Sequence, residues 1–423
     1  MKRIRRRAVA LALAAVAVLA ATIVASATAK SQATTLSFWQ TMNDQETITL
    51  KGLITTYEKA NPDVKVEVTN VPFDQRENKF TAAAQAGKAP DIMRAEIADV
   101  ANWAARGYLS DITGNVTAAD KADFLPAAFA YYNYAGKIWG LPQAPDAPAL
   151  LYNKALVKAV GLNIAKPPTT MSQLGQWCTK LGNGKGLFLR GDSYWTQAWI
   201  WAYGGNLVDV AKKQILIASK PSVSGMDAYK KLFASSCAFP NKDFANDYGN
   251  AQTAFKNGQV AMIVNGPWAT ADILSGPAFR RSSNLGVAPI PKGPGGKQGS
   301  PVGGNGFVLS RNVTDKAAAY KFIYWLTQPA QQAVFAEKNN LLPSRASAYK
   351  IASVKKNRII VDFLAQLKVA TARPVDPRAG QIYADFGTNV QKILQNQVSV
   401  ASGMNTIAQS WKSKLWPDFK IVK

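Results

Sequence analysis

Histidine is absent from this chain of 423 residues, and cysteine occurs only twice. Without histidine the chain cannot form the Ser-His or Cys-His pairs that activate enzyme nucleophiles, or a metal site with histidine ligands. The glycine-rich segment 293–299, GPGGKQG, also lacks the Gly-Lys-Ser/Thr ending of a phosphate-binding loop. These catalytic and metal-binding systems are therefore excluded, and no phosphate-binding loop is predicted.

Acidic residues are scarce as well, 26 against 50 lysines and arginines, so the formal net charge is +24. Six of the cations stand within the first 30 residues, and the rest of the chain remains basic. Such a surface attracts anionic wall polymers, lipid headgroups or nucleic acid, or it is simply solvated. Because the basic residues are scattered and form no nucleic-acid-recognition motif, we favour the solvated surface and predict no nucleic-acid partner.

A long apolar run occurs only at the N-terminus. Basic residues at 2–7 precede an alanine-rich run at 8–24, and small-x-small sites follow at 25–27 and 27–29. This pattern is typical of a cleaved signal peptide, assigned to residues 1–29. The alternative is a membrane anchor, although the run falls short of the roughly 20 residues that span a bilayer. No cysteine ends the run, so lipid attachment is not predicted. We expect an exported protein at the extracellular face of the cytoplasmic membrane, in the cell wall or in the periplasm.

Removal of this segment leaves roughly 390 residues, more than a single hydrophobic core serves, so two lobes are expected. Apolar periodicity predicts strands at 35–39 and 64–68 and helices at 46–60 and 75–86. The first helix should bury one face that includes Ile48, Leu50 and Tyr57. Alternation of strands and helices indicates an α/β lobe with a largely parallel sheet. The remaining predictions are mostly helix over 151–300, a strand at 300–309, and helices over 315–327 and much of 373–416.

The two cysteines, Cys178 and Cys237, are an even count in a chain expected to be exported. That context favours a disulfide between them, which would close a long loop. The alternative is a pair of buried thiols.

Residues 136–154, GKIWGLPQAPDAPALLYNK, form the most informative stretch of the chain. A glycine turn leads into a segment stiffened by Pro142, Pro145 and Pro148, which also lack backbone donors. A single carboxylate, Asp146, lies within it. These features predict a rigid connector with a lone acid, better suited to a crossing between lobes than to the interior of a sheet.

Residues 255–268, FKNGQVAMIVNGPW, add a strand that ends in a Gly-Pro-Trp turn. Together with GKAPDIMR, LGVAPIPKGPGG and LLPSR in the same order, these stretches resemble the extracellular solute-binding proteins of sugar ABC transporters (family 1), in particular the maltose/maltodextrin-binding type. The resemblance covers nearly the whole chain after the N-terminal segment. It implies a two-lobed periplasmic-binding-protein fold of type II, in which each lobe is a central sheet flanked by helices and a hinged cleft lies between them. The implied lobes are 30–144 plus 304–330 and 145–303 plus 331–423, with hinges near 143–147 and 300–305.

The same resemblance implies a ligand site. Sugar rings present apolar faces that pack on aromatic rings and hydroxyls that need paired donors and acceptors. The implied ligand-binding residues are Trp39, Asn43, Asp44, Arg94, Glu96, Asp146, Asp192, Tyr194, Trp195, Trp268, Gly304, Arg378 and Tyr383.

Other roles for some of these residues are open. Trp268 would be a core residue in most contexts, and Asp44 and Asp192 would serve equally as helix caps. One departure concerns Ala95, which stands where the maltose-binding relatives carry an aromatic residue, so the corresponding sugar subsite is in doubt.

The implied function is capture of an oligosaccharide, most simply an α-glucoside such as maltose, maltodextrin or trehalose, by a monomer that closes on it and delivers it to a membrane permease. The resemblance implies no chemistry on the ligand, and hence no catalytic residue, no metal and no cofactor. The alternatives are the same role for a β-linked or xylo-oligosaccharide or an amino sugar, a wall-associated scaffold, and a secreted glycoside hydrolase that would use Asp146 and Asp192 as its acid/base pair.

Overall fold

The computed structural model describes residues 33–295 and 298–423, so the predicted signal peptide lies outside the described residues. The strands, in chain order, are β1 Thr34–Gln40, β2 Val64–Asn70, β3 Ile92–Glu96, β4 Asn133–Tyr134, β5 Lys137–Ile138, β6 Gly140–Asp146, β7 Ala149–Asn153, β8 Leu187–Phe188, β9 Val208–Asp209, β10 Gln214–Ile215, β11 Met262–Asn265, β12 Leu285–Ala288, β13 Gly303–Leu309 and β14 Lys420–Ile421.

The α-helices span Asp44–Ala60, Arg76–Gln85, Ile97–Ala105, Ala118–Asp123, Pro126–Phe129, Lys154–Ala159, Met171–Leu181, Ser193–Ala202, Lys220–Phe233, Asp247–Lys256, Thr270–Leu274, Lys316–Leu326, Pro329–Asn339, Ala352–Lys356, Arg358–Val369, Ile382–Leu394 and Val400–Lys414. Within the described ranges, none of them combines the length and the apolar character needed to cross a membrane.

The first sheet has five strands in the order β2-β1-β3-β13-β6. β1 pairs in parallel with β2 and β3, whereas β13 runs antiparallel to both β3 and β6. Four of the five strands thus run in the same direction, so the sheet is largely parallel as predicted. It is nevertheless mixed, because β13 returns to it from the second sheet in the opposite direction.

The helix Asp44–Ala60 follows β1 and covers this sheet. Asn43 caps it by accepting a 3.0 Å hydrogen bond from the backbone N–H of Glu46, which satisfies one of the free donors of the first turn. Leu50 and Tyr57 are buried as predicted, but Ile48 is 65% exposed and lies outside the apolar face. It stands on the opposite side of the helix from the core stripe.

The proline-spaced segment crosses between the two sheets. β6 is an edge strand of the first sheet. Pro142 and Pro145, which lack a backbone N–H, are therefore kept out of the interior of the sheet. After Pro148 the chain continues as β7, an inner strand of the second sheet, whose order is β12-β7-β11-β8. The prediction that this segment is a crossing rather than the interior of a sheet is confirmed, and its rigidity stays a prediction.

Two further segments run beside this crossing. The Ser300 hydroxyl donates to the carbonyl of Pro148 at 2.6 Å, which joins the segment before β13 to the first crossing. Thr371 then bonds to both Ser300 and Val302 through backbone hydrogen bonds of 2.7 and 2.9 Å. Three stretches of chain are thus hydrogen-bonded side by side where the two sheets meet.

The second sheet is built from strands of two to five residues that are buried throughout. Only β11 among the strands between residues 160 and 300 was anticipated. Short strands buried on both faces show no alternation of apolar and polar residues. Apolar periodicity therefore does not reveal them in a region that it predicts to be mostly helical.

Cys178, on the helix Met171–Leu181, and Cys237, just after the helix Lys220–Phe233, are joined in a disulfide with a Cα–Cα distance of 5.4 Å. The bridge ties two helices that flank the second sheet.

Three clusters of buried side chains hold the molecule together. One surrounds the first sheet, with Phe38 and Phe322 in edge-to-face contact, and one fills the helical side of the second sheet. The third contains Val308 of the first sheet and Leu151 of the second, so it spans both. Phe335, on the helix Pro329–Asn339, packs into the cluster of the first sheet. The lobe boundaries given above remain a prediction.

Candidate functional site

The carboxyl ends of β1, β2 and β3 form one edge of the first sheet. Because Trp39 pairs with Thr69 and Met93 in register, the residues that follow each strand emerge at the same level. Asn43 follows β1 at this edge, and Glu96 ends β3. Trp39 itself is partly buried within β1.

Asn43 connects this edge to the turn after β11. Its Nδ2 donates to the Oε1 of Glu46 at 3.0 Å and to the carbonyl of Trp268 at 3.2 Å. Asp44 is exposed and begins the helix, so the capping role considered for it belongs to Asn43 instead. Asn43 and Asp44 both lie at the sheet edge where ligand contacts were predicted, and the Asn43 side chain is already hydrogen-bonded to protein groups there.

Trp268 sits where Gly266 and Pro267 turn the chain. Its ring folds back over Gly266, where an added Cβ would lie 1.8 Å from a ring carbon, so this position requires glycine. The indole Nε1 donates to the Tyr248 hydroxyl at 3.0 Å. The ring is only partly buried, and it contacts all three buried clusters. Trp268 is therefore a fixed and partly accessible aromatic surface at the meeting point of the two sheets.

Four aromatic residues from three separate segments of the chain form a row. The ring centroids of Tyr194 and Trp195 are 5.5 Å apart, those of Trp195 and Trp268 are 6.3 Å apart, and those of Tyr194 and Tyr383 are 6.4 Å apart. Trp195 is only 6% exposed. Arg190 covers it at 4.4 Å from the ring centroid. Trp195 therefore supports the row, and the other three rings are the more accessible members.

Asp192 caps the helix Ser193–Ala202, and its Oδ1 accepts a 2.7 Å hydrogen bond from the backbone N–H of Tyr194. Its side chain is nevertheless 43% exposed, with Oδ2 at 3.6 Å from Arg190. The capping role is thus observed, and contact with a ligand stays a prediction.

Arg373 is the central residue that the sequence did not reveal. Its backbone N–H donates to the Tyr131 hydroxyl at 2.7 Å, and its Nε donates to the carbonyl of Val302 at 2.9 Å. Its Nη1 donates to the Tyr383 hydroxyl at 3.2 Å, and its Nη2 pairs with Glu96. Although burial opposes the charged form, the carboxylate of Glu96 is strong enough to raise the pKa of the Arg373 guanidinium.

Sequence reasoning chose the other arginine of this proline-rich turn. Arg378 is held by Asp376 through two hydrogen bonds of 2.8 and 2.7 Å and lies over the rings of Trp416 and Phe419. None of these contacts involves the aromatic row, so Arg378 stabilises the C-terminal end of the chain in this structure. Only the tertiary contacts of Arg373 distinguish the two, and no local pattern would have done so.

Arg94 is buried beneath the site. It donates to Gln143 at 3.1 Å and to Thr41 at 3.2 Å and lies 3.8 Å from the carboxylate of Glu46. Burial lowers the pKa of the guanidinium, with Glu46 opposing the effect. The hydrogen-bonding groups of the Arg94 side chain are therefore already engaged by other residues of the protein.

Asp146 ends β6 next to the crossing. It is 8% exposed, and burial, reinforced by the nearby charge of Glu96, raises its pKa to about 8. A Cβ on Gly303 would lie 2.2 Å from Asp146 Oδ1 and 2.6 Å from the Tyr194 hydroxyl, so both groups face this glycine. Gly304 has φ of +134° and lies against the carbonyl of Ala144, which suits only glycine.

These residues place flat aromatic rings beside charged hydrogen-bonding groups at the crossings. Such a surface suits a polyhydroxylated ligand with apolar ring faces. Among the residues that the structure describes, there is no cluster of acidic, cysteine or histidine side chains that would hold a metal ion.

Two mixed sheets flanked by helices, joined by crossings that also line the site, define a type II, two-lobed binding protein. Comparison with known proteins gives the family. Residues 52–360 match the model of the bacterial extracellular solute-binding proteins, and the chain belongs to this family. Membership places the chain on the extracytoplasmic side of the membrane.

Solved structures of similar fold include the GacH receptor of Streptomyces glaucescens GLA.O, described unliganded and in complex with acarbose. It is 34% identical, with a TM-score of 0.87 over 92% of this chain and 100% of that one. The maltotriose binding protein of Thermus thermophilus, bound with maltotriose, is 26% identical, with a TM-score of 0.78 over 89% and 99% of the two chains. The maltodextrin-binding protein MdxE of Bacillus subtilis (strain 168) is 24% identical over 387 residues, 86% of this chain and 88% of that one.

Proposed function

We propose that this chain is the extracytoplasmic substrate-capture component of a carbohydrate ABC importer and that it binds an α-glucoside between its two lobes. The observation that carries the proposal is the row of Tyr194, Trp268 and Tyr383 beside the charged pair of Glu96 and Arg373. The row supplies planes for sugar ring faces, and the charged groups supply partners for hydroxyls.

The choice of an α-glucoside is supported by what the similar proteins are said to bind: acarbose for the GacH receptor, maltotriose for the Thermus protein and maltodextrin for MdxE. A β-linked or xylo-oligosaccharide or an amino sugar is the alternative within the same importer role.

The proposed mechanism is capture by closure about the crossings. Residues 143–147 and 300–305, with Thr371 hydrogen-bonded beside them, form the hinge between lobes 30–144 plus 304–330 and 145–303 plus 331–423. Ligand contacts from both lobes stabilise the closed form, which then docks on the membrane permease as a monomer. Export would use the signal peptide at residues 1–29.

Hydrolysis of the bound glycan is disfavoured by the state of one of the two carboxylates suggested for it and by the family. Asp192 is engaged as a helix cap, and the family is one of binding proteins. Release of nitrophenol from nitrophenyl glycosides, abolished in Asp146→Asn, would establish the enzyme instead.

The decisive experiment is calorimetric titration of the mature protein with maltose, maltotriose, trehalose, cellobiose and xylobiose. Micromolar or tighter binding confined to α-glucosides is expected. Binding confined to cellobiose or xylobiose would keep the transport role and change the substrate. Absence of binding to all five sugars would refute capture of an α-glucoside and would favour a different solute or the scaffold.

A further inference from the structure

Phe73 is an exposed aromatic residue at the same edge of the first sheet as the proposed site. The backbone N–H of Val71 donates to the carbonyl of Gln40 at 2.8 Å, so the chain leaving β2 stays beside the end of β1. Pro72 and a short 3₁₀ turn over Phe73–Gln75 follow. Since Asn70 pairs with Gln40, the segment that carries Phe73 leaves the sheet at the same level as the segment that carries Asn43.

The ring of Phe73 is held by Arg76. The guanidinium carbon lies 4.1 Å from the ring centroid, and Nη1 donates to the Phe73 carbonyl at 2.8 Å. Nε donates to Asp99 at 2.8 Å, and Nη2 lies 3.7 Å from Glu96. Because two carboxylates and a carbonyl fix the guanidinium, one face of the ring is pinned in place while the side chain remains 48% exposed.

Exposed apolar side chains that stand alone are common and need no function. Ile48, 65% exposed on the helix Asp44–Ala60, is of that kind. Phe73 differs in two respects. Its ring is ordered by a cation that belongs to the charged network of the site, since Glu96 pairs with Arg373. It also follows β2 at the edge of the first sheet where Asn43 and Glu96 stand, whereas Ile48 lies on the side of its helix opposite the core.

We propose that Phe73 is an aromatic platform for an outer ring of the oligosaccharide and sets a preference for ligands longer than a disaccharide. This inference rests on the proposed function. A pinned aromatic ring loses little conformational freedom when a sugar packs on it, so the contact contributes fully to affinity. The route from Phe73 through Arg76, Glu96 and Arg373 to Tyr383 joins the platform to the main aromatic row by direct contacts.

The test is titration of the mature wild-type protein, Phe73→Ala, Phe73→Tyr and Ile48→Ala with maltose, maltotriose and maltotetraose. We expect Phe73→Ala to weaken binding of the two longer sugars by about three- to tenfold, the usual value of an aromatic contact. Its maltose affinity should match that of the wild type. Phe73→Tyr should retain the preference for length, and Ile48→Ala should behave as the wild type.

Three outcomes would overturn the inference. An equal loss for maltose and the longer sugars would mean that Phe73 acts on lobe closure or folding, and unchanged affinities would mean that it contacts no sugar. If the wild-type protein binds none of the three sugars, the proposed function fails and this inference fails with it. Thermal unfolding of each variant, monitored by circular dichroism, checks that the exposed site tolerates the changes.

Discussion

Replacement of Trp268 by alanine tests the site most directly. The ring is the only member of the aromatic row that contacts all three buried clusters, and it is held over Gly266 with its Nε1 bonded to Tyr248. Its accessible part therefore faces the place where the sheets meet, and a ligand there would pack against it.

The expected loss follows from two terms. An aromatic contact contributes about 0.5–1.5 kcal/mol beyond the area that it buries, and removing a ring-sized apolar surface from the interface adds about 1–2 kcal/mol. Together they predict a loss of about 1.5–3.5 kcal/mol, or roughly a 10- to 300-fold rise in Kd. The Tyr248 hydroxyl released by the change is on an exposed residue, so water replaces its partner at little cost.

The assay is calorimetric titration with the sugar that binds the wild-type protein best. Trp139→Ala is the matched control, because Trp139 is also partly buried and also donates one hydrogen bond, 2.9 Å to the carbonyl of Tyr134, but packs on the β4–β5 hairpin. Trp139→Ala should change stability and leave Kd within about twofold. A folded Trp268→Ala protein with wild-type Kd would refute the platform role.

The remaining predictions concern stability. Because the pKa of Asp146 is raised from about 4 in the unfolded chain to about 8, its carboxyl stays protonated to a higher pH in the folded protein than in the unfolded chain. The free energy of unfolding should then fall as the pH rises between those values, and urea titrations should show a shallower fall for Asp146→Asn; an equal slope would contradict the assignment. Replacing both Cys178 and Cys237 by alanine opens a loop of 59 residues and should lower the free energy of unfolding by about 4 kcal/mol without changing Kd, and loss of sugar binding in a folded double variant would oppose this. Arg373→Met should cost about 3–5 kcal/mol in denaturant titrations, since it leaves the buried carboxylate of Glu96 poorly paired; adding Glu96→Gln should restore part of the loss, and strict additivity of the two changes would argue against the pair.

Much of the architecture could be predicted from local sequence. The alternation of strand and helix up to residue 86 was recovered within a few residues, and three closely spaced prolines identified the crossing after β6. Prediction succeeded there because the effects of proline and of apolar periodicity on backbone conformation are local, within a few residues of the chain. It failed for the strands of the second sheet, because β8 and β12 are short and buried on both faces.

The site was recovered unevenly for the same reason. Trp268 was identified because a Gly-Pro turn presents it locally, and the structure confirms that turn geometry. Arg94 and Arg378 carry the right chemistry, but their partners, Glu46 and Asp376, engage them away from the aromatic row. Which arginine serves the site is decided by partners far away in sequence.

The sequence by itself determined the class of the protein through the resemblance of its ordered motifs to a known family, because motifs can be compared without knowledge of the fold. Only the tertiary structure decided the constellation of the site. The pairing of Glu96 with Arg373 joins residues 277 positions apart, and the stacking of Arg76 on Phe73 depends on two carboxylates beyond their own turn. Such contacts arise from the packing of separate segments. A buried charge is costly unless an opposite charge or a hydrogen-bonding group lies beside it, and the tertiary fold decides which residue that is.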